Sequence, residues 1–457
     1  MRRVDAARLA GLLILALPFT ACAPREPDLP VVALLGGSVI DGTGAPPKAA
    51  TVLIRGDRIE AVGLEVRVPR SAEVMDISGM TVVPGFIDMH GHMYALRRNQ
   101  FEAYSALFLA GGVTTVFSPG DFDPQGMTAF RDSIARGEVV GPTVRTAGPY
   151  FDHDPSVVGW IEGVGSSKEA LAKFESWKGR IDAVKVYTNI TEDELGALAR
   201  AAHAAGLKIT GHLGGQLPTL RAVQLGIDGL QHGIFAISEI TDAGQADPVK
   251  QQYCSLAEVD LDSPVMEELV RAIVEDSVWI TPTIVTLQGI HPRFEPPAKE
   301  WLEYLSPEAQ ETMSRMPAFL DDEGAACLDT ALAKQMEFVR RVHDRGGLVV
   351  AGTDPVSPKV VPGYGLHAEM ANFVRAGLSP LEAISAATRN GALALGLSGE
   401  IGTVEAGKRA DLVVVRGDPA SDIASIGSTV WVFKAGVRYD PKVLRESAKG
   451  KIGLPAG

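Results

Sequence analysis

Apolar and polar positions follow three regimes along the chain. Between residues 31 and 83, short alternating runs, "VVALLGGSVIDGTG", "ATVLIRGDRIEAVG" and "EVMDISGMTVVPG", are cut by Gly-Asp, Asp-Gly and Ser-Gly pairs. A two-residue period broken by turn-forming pairs predicts a small antiparallel sheet. From 84 to 398, near-continuous apolar runs of strand length alternate with stretches of helical period such as "TEDELGALARAAHAAG" and "LPTLRAVQLG". The runs 82–88, 112–118, 143–150, 183–189, 207–213, 229–234, 278–285 and 348–354 predict eight buried strands. Residues 402–440 return to the β pattern in "GTVEAGKRADLVVVRGD" and "STVWVFKAGVRYD".

Strands alternating with helices predict an α/β fold, and eight in sequence fit a (β/α)8 TIM barrel over 84–398 better than an open doubly wound sheet. No GxGxxG follows an early strand, which argues against a dinucleotide site. The two β-rich ends, 31–83 plus 399–440, predict one small composite β-sandwich, with separate flanking sheets as the alternative. Connections 235–277 and 286–345 exceed plain turns and read as helical excursions over the mouth formed by the strand ends. "SPLEA" predicts a capped helix start at Ser379, Pro380 and Glu382. Residues 441–457 read as a C-terminal tail.

The N-terminus changes the picture. Arg2, Arg3 and Arg8 precede the apolar "LAGLLILALPF", which leads into Thr20-Ala21-Cys22. A basic start, a short apolar core and small residues predict a signal peptide over 1–21, followed by a Pro-rich tether over 22–30. Cys22 resembles the lipid-attachment site of bacterial lipoproteins, with Phe19 where that pattern prefers Leu; ordinary cleavage is the alternative. Ala23 after it implies, by the same resemblance, an exported protein of the periplasm anchored by lipid in the outer membrane. The formal net charge of −13 excludes a broad nucleic-acid surface. Cys254 and Cys327 are either core residues or one bridge.

Candidate chemistry gathers at strand ends. His90 and His92 in "VPGFIDMHGH" lie two apart, so a strand points both imidazoles to one face. His212 ends "LKITGHL", His232 follows in "GIDGLQHG", Lys185 ends "DAVKVY" and Asp354 ends "VVAGTD". In a barrel these ends share one rim, so four imidazoles and a carboxylate converge as an N/O metal site. A buried Lys185 ammonium beside cations is disfavoured twice, by desolvation and by like charge. It escapes by losing its proton and taking up carbon dioxide as a carbamate; the alternative is a head group paired with an acidic neighbour. Each histidine taken singly also reads as an ordinary rim residue. His203 and His343 read as helix-face residues, and His367 starts the helix after the last strand.

Together "VPGFIDMHGHM", "GVTTV", "VKVY", "GH", "LQHG", "AGTD" and "GTVEAGKRADLVVV" resemble the metal-dependent amidohydrolase superfamily over about 31–440, in its imidazolonepropionase-like and prolidase-like branch. The resemblance implies two divalent metal ions, zinc in the first place, with His90 and His92 on the more buried ion and His212 and His232 on the second. Carboxylated Lys185 would bridge them and Asp354 would complete the first shell. A metal-bridging hydroxide would then hydrolyse C–N amide bonds of dipeptides, N-acyl amino acids or related small amides, with Asp354 as general acid and base. Tyr187, two residues after Lys185, and His153 are candidate substrate contacts; a packed aromatic and a loop residue are their alternatives. A homo-oligomer is expected. Two other readings stand beside this one. A mononuclear cyclic-amide hydrolase or deaminase has no use for Lys185. A metal-free, lipid-anchored binding protein has no use for six ligand-type residues.

Overall fold

The structure is a computed structural model that describes residues 29–93, 98–153, 161–214, 217–236, 248–294, 299–315, 320–355 and 359–453. The predicted signal peptide and Cys22 lie outside the described residues.

Both chain ends meet in one sheet. Met80–Pro84 pairs antiparallel with Leu412–Arg416 on one side and parallel with Ser38–Val39 on the other. Thr429–Lys434 and Val437–Tyr439 extend this six-stranded sheet beyond Leu412–Arg416. A second sheet holds Arg58–Gly63, Thr51–Arg55, Val31–Leu35 and Glu73–Asp76, in that order. The alternating apolar positions explain why the two associate. Leu34, Val52 and Ile54 of the second sheet share one buried cluster with Val82, Leu412, Val414 and Phe433 of the first.

The middle of the chain is parallel, as expected of strands buried on both faces. Phe86–Asp88, Val113–Ser118 and Thr143–Thr146 form a three-stranded sheet. Ile161–Val164, Tyr150–His153, Ala183–Val186, Lys208–Gly211, Gly229–Gln231, Trp279–Thr281 and Leu348–Val349 form a seven-stranded one in that order. The third predicted strand, 143–150, is corrected here. It breaks at Ala147-Gly148-Pro149, where Gly148 takes a φ of 66°. Its first half pairs with Val113–Ser118 and its continuation with Ala183–Val186. Ile161–Val164, which the pattern did not predict, lies along the continuation. The last predicted strand, 348–354, also leaves its ladder early. Its end turns to the first strand: Met89 N–H donates to Ala351 O at 2.9 Å and Asp354 N–H to His90 O at 2.6 Å.

Both predicted excursions are mostly helical where described, and one helix of each belongs to the layer over the parallel strands. Pro264–Glu275 buries Met266, Leu269, Val270 and Ile273 on one face, and Asp322–Asp344 buries Leu328, Ala331, Phe338 and Val342. That spacing marks helices covering the parallel strands. Periodicity identifies a helix but not the surface that it covers. The predicted helix start at Ser379 is present, with Ser379 and Glu382 forming a reciprocal capping box. The "tail" is also corrected: Pro441–Ala448 is helical, and Ile452 bridges to Leu305.

Cys254 of helix Pro248–Glu258 is bonded to Cys327 of helix Asp322–Asp344, 73 residues further on. Closing a loop of that length removes denatured-state entropy equivalent to roughly 4 kcal/mol. Cys254→Ala is therefore expected to lower unfolding free energy by about 2–4 kcal/mol, read from urea denaturation. Reductant should lower wild-type stability by a similar amount and leave the variant unchanged.

Candidate metal centre

The end of the first parallel strand is built for close approach. The strand ends at Asp88, and the turn that follows carries His90 and His92. Buried Asp88 accepts from His90 N–H at 3.0 Å, Thr353 N–H at 3.1 Å and the Thr353 hydroxyl at 2.6 Å, tying the first strand end to the last. Two glycines make room. A Cβ on Gly91 would lie 2.5 Å from Val116 Cγ1, and one on Gly352 would lie 2.8 Å from His90 Cβ.

Hydrogen bonds then fix which ring nitrogens face inward. Gln231 Nε2 donates to Thr210 Oγ1 at 2.8 Å, and the Thr210 hydroxyl donates to Gly229 O at 2.9 Å. The amide oxygen of Gln231 is therefore turned to His90 Nδ1, 2.7 Å away, which must carry the proton. The Gly120 carbonyl holds His92 in the same way. Two Nε2 lone pairs are left facing each other at 3.0 Å. Asp354 Oδ1 lies 3.7 Å from both nitrogens, buried and without a hydrogen-bond partner. Acceptors without protons repel one another unless a cation lies between them. His232 extends the set, its Nδ1 3.8 Å from Asp354 Oδ2, so that one ligand atom each from His90, His232 and Asp354 falls within 4.8 Å of the others. The His212 ring centroid is 4.4 Å from that of His232. The donors fit a divalent ion of mixed N/O preference.

Burial sets the charges. It lowers His92 and His212 to about 3, and carries His90 and His232 well below the usual imidazole value, so the rings are neutral donors. Lys185, 1% exposed, is lowered to about 7 by desolvation, against the opposing pull of Asp354. Asp354 is raised to about 7 by desolvation, against the pull of Lys185. Among the described residues the ion pairs of Asp354 run to His90, His92 and His232, and no carboxylate comes within ion-pair distance of Lys185. Asp354 acts on Lys185 from beyond ion-pair distance.

The backbone is bent to this purpose. His232, Thr283 and Asp354 take left-handed φ values of 67°, 47° and 43°, each costing on the order of 1–3 kcal/mol. Tyr187 stands edge-on to Tyr150 at 5.3 Å and lies 5.0 Å from the His212 ring. Burial pushes its hydroxyl up to about 12, so it remains a donor. His153 is bound through Nδ1 to Glu194 at 2.9 Å, and Glu194 also closes the capping box of the next helix. His203 and His343 are helical, paired with Asp228 and Glu382. His367 bonds the Gly111 carbonyl at 2.7 Å. Sequence reasoning missed Asp88, Gln231 and Thr283. Asp88 was within reach, because it shares the period of His90 and His92.

Residues 81–438 match the sequence profile of the amidohydrolase family. A D-aminoacylase of Alcaligenes xylosoxydans xylosoxydans is 41% identical over 85 residues, 18% of this chain and only 16% of the relative's own length. An imidazolonepropionase of Symbiobacterium thermophilum is 25% identical over 415 residues, 79% of this chain and 82% of that one. The crystal structure of a Xaa-Pro dipeptidase with methionine in its active site superposes with a TM-score of 0.68 at 21% identity, covering 90% of this chain and 100% of the other. That likeness is one of fold.

Protonated Lys185 sets a positive charge against an incoming cation. Cobalt(II) uptake, followed by titration at constant ionic strength, should strengthen as pH rises through about 7, where Lys185 loses its proton. In Lys185→Met that step should shrink to the part set by Asp354, which is itself raised to about 7. The histidines do not limit uptake, since His92 and His212 stay neutral down to about 3.

Proposed function

This chain belongs to the amidohydrolase family, and we propose that it is a binuclear metal-dependent hydrolase of C–N amide bonds in dipeptides, N-acyl amino acids or related small amides. One observation carries the reading: unprotonated nitrogens of His90 and His92 converge on the orphaned Asp354 carboxylate oxygen. Among the described residues, buried Lys185 has no counter-charge within ion-pair distance beside them. His90 and His92 would hold one ion and His212 and His232 the other. A neutral Lys185 amine could add to carbon dioxide with loss of a proton, which would supply an anionic carbamate ligand between them. When bound, the ions supply an acidified water and polarise the substrate carbonyl.

The chain's own groups do the rest. Asp354 would complete the first ion's shell, and its carboxylate would take a proton from the acidified water and return it to the departing amine. The Tyr187 hydroxyl donates to the carbonyl oxygen as charge builds there. His153, its Nδ1 fixed by Glu194 and its side chain 40% exposed, is an outer contact for the substrate. A mononuclear centre would leave Lys185 without a role.

We read the parallel strands as one closed (β/α)8 barrel. Support comes from Met89 N–H to Ala351 O at one seam and from Asp182 N–H to Thr146 O, 2.7 Å, at the broken strand. The two mixed, mainly antiparallel sheets, 31–83 plus 399–440, are read as a composite β-sandwich over their shared cluster. Export with a lipid anchor on Cys22 is supported by the N-terminal pattern and by the disulfide, a bond of oxidising compartments.

Protein starting at Ala23, purified without chelator and with bicarbonate, is expected to hold about two metal ions per chain by elemental analysis. Lys185→Ala should hold about one or fewer; an unchanged content would remove the bridge. Asp354→Asn should keep much of the metal while turnover of an N-acyl amino acid or dipeptide falls about 10²–10⁴-fold. Full activity in that variant would end the proton-transfer role.

A further inference from the structure

Glu369 is fully buried on helix Tyr364–Arg375, yet the chemistry proposed above makes no use of it. Both of its oxygens are spent on backbone: Oε1 accepts from Ile284 N–H at 2.9 Å and Oε2 from Val285 N–H at 2.8 Å. These are among the first donors of helix Ile284–Ile290, which have no partner inside the helix. The carboxylate thus pins the elbow where the chain leaves strand Trp279–Thr281.

Two arms of that elbow reach the metal centre. Thr283, held at a φ of 47°, places Oγ1 2.9 Å from His232 Nδ1. The Thr286 hydroxyl donates to the carbonyl of Asp354 at 2.7 Å and to that of Thr353. His232 and Asp354 are themselves the other two left-handed residues of the site. Gln335 grips the same turn from the other side. Its Nε2 donates to the carbonyls of His232 and Pro282, both at 3.0 Å, and its Oε1 accepts from Ile234 N–H at 3.0 Å. Three strained residues persist only where their surroundings over-determine them, and here the bonds that do so originate outside the site.

We propose that Glu369 is a positioning residue for the metal centre: by pinning the Thr283–Thr286 elbow, it orients His232 through the Thr283 hydroxyl and Asp354 through the Thr286 hydroxyl. The Thr283 hydroxyl, 2.9 Å from His232 Nδ1, fixes the rotation of that ring. The proposal rests on the reading of His232 and Asp354 as metal ligands. A hydrogen-bond partner behind a ligand that is lost typically costs 10–100-fold in metal affinity or activity.

The test is cobalt(II) release from the loaded full chain to an excess of chelator, followed by the visible cobalt absorption. Glu369→Gln puts an amide N–H against one backbone donor and should speed release about 10–100-fold; Thr283→Val should do the same. If Glu369 acts through Thr283, the double variant releases cobalt no faster than the faster single variant. Thr283→Ser, which keeps the hydroxyl, should stay near the wild-type rate. A folded Glu369→Gln with wild-type release overturns the proposal, and so do fully additive effects in the double variant. Should Glu369→Gln fail to fold, Glu369→Asp replaces it; its shortened carboxylate should speed release in the same direction, and an unchanged rate overturns the proposal. A wild-type chain that takes up no cobalt overturns the ligand reading first. Normal cobalt uptake with unaltered release in the variants overturns only the role of Glu369.

Discussion

Two imidazole nitrogens facing each other at 3.0 Å with both ring protons committed elsewhere are the constraint on which the centre depends. Bulk water does little to relieve them, since His90 is 1% exposed and His92 5%. Protonation cannot either, because burial and Lys185 hold the rings neutral. A cation is the species that turns this repulsion into attraction. Seen this way, the polar residues behind the rings have a definite task. Gln231 and the Gly120 carbonyl fix two tautomers, and the Thr210–Gly229 bond fixes the amide that fixes the first. Replacing Gln231 by a residue unable to accept would free His90 to turn its proton inward.

Such a centre is costly, and the cost is spread over the fold. Left-handed backbone at His232, Thr283 and Asp354, together with a buried lysine, adds several unfavourable terms at one rim. They are offset by structure that never touches the centre: the apolar faces of Pro264–Glu275 and Asp322–Asp344, the disulfide on the latter, and the carboxylate of Glu369. Strain gathered at the rim and support supplied from the covering layer are what a rigid, pre-set ligand geometry requires.

The ligand candidates were legible in the sequence because strand geometry writes them periodically. His90 and His92 stand two apart after an apolar run, and His212, His232, Lys185 and Asp354 each close one. What supports them was not. Thr283 and Glu369 look like any Thr after a proline and any helix Glu; their role comes from a φ sign and a long-range bond that no local pattern encodes. The broken third strand carried a visible signal in Ala147-Gly148-Pro149, set between the β-like stretches Thr143–Thr146 and Tyr150–His153. The long connections were legible as helices but not by the surface they cover: a 3.6-residue period is the same whether the helix covers a strand or overhangs a mouth.

The antiparallel sheet built from both chain ends bears on the centre more directly than its distance suggests. Met80–Pro84 belongs to that sheet, and after the single residue Gly85 the chain enters Phe86–Asp88 of the parallel one. Gly85 N–H donates to Asp411 O at 2.7 Å, and a Cβ at Gly85 would fall 2.2 Å from Thr114 Oγ1. The register of Leu412–Arg416 against Met80–Pro84 therefore sets where the first parallel strand begins. A slip of one residue there would turn Asp88, His90 and His92 to the opposite face together. The segment "RADLVVV" is thus part of how the histidines are aimed, though it lies more than 300 residues beyond them.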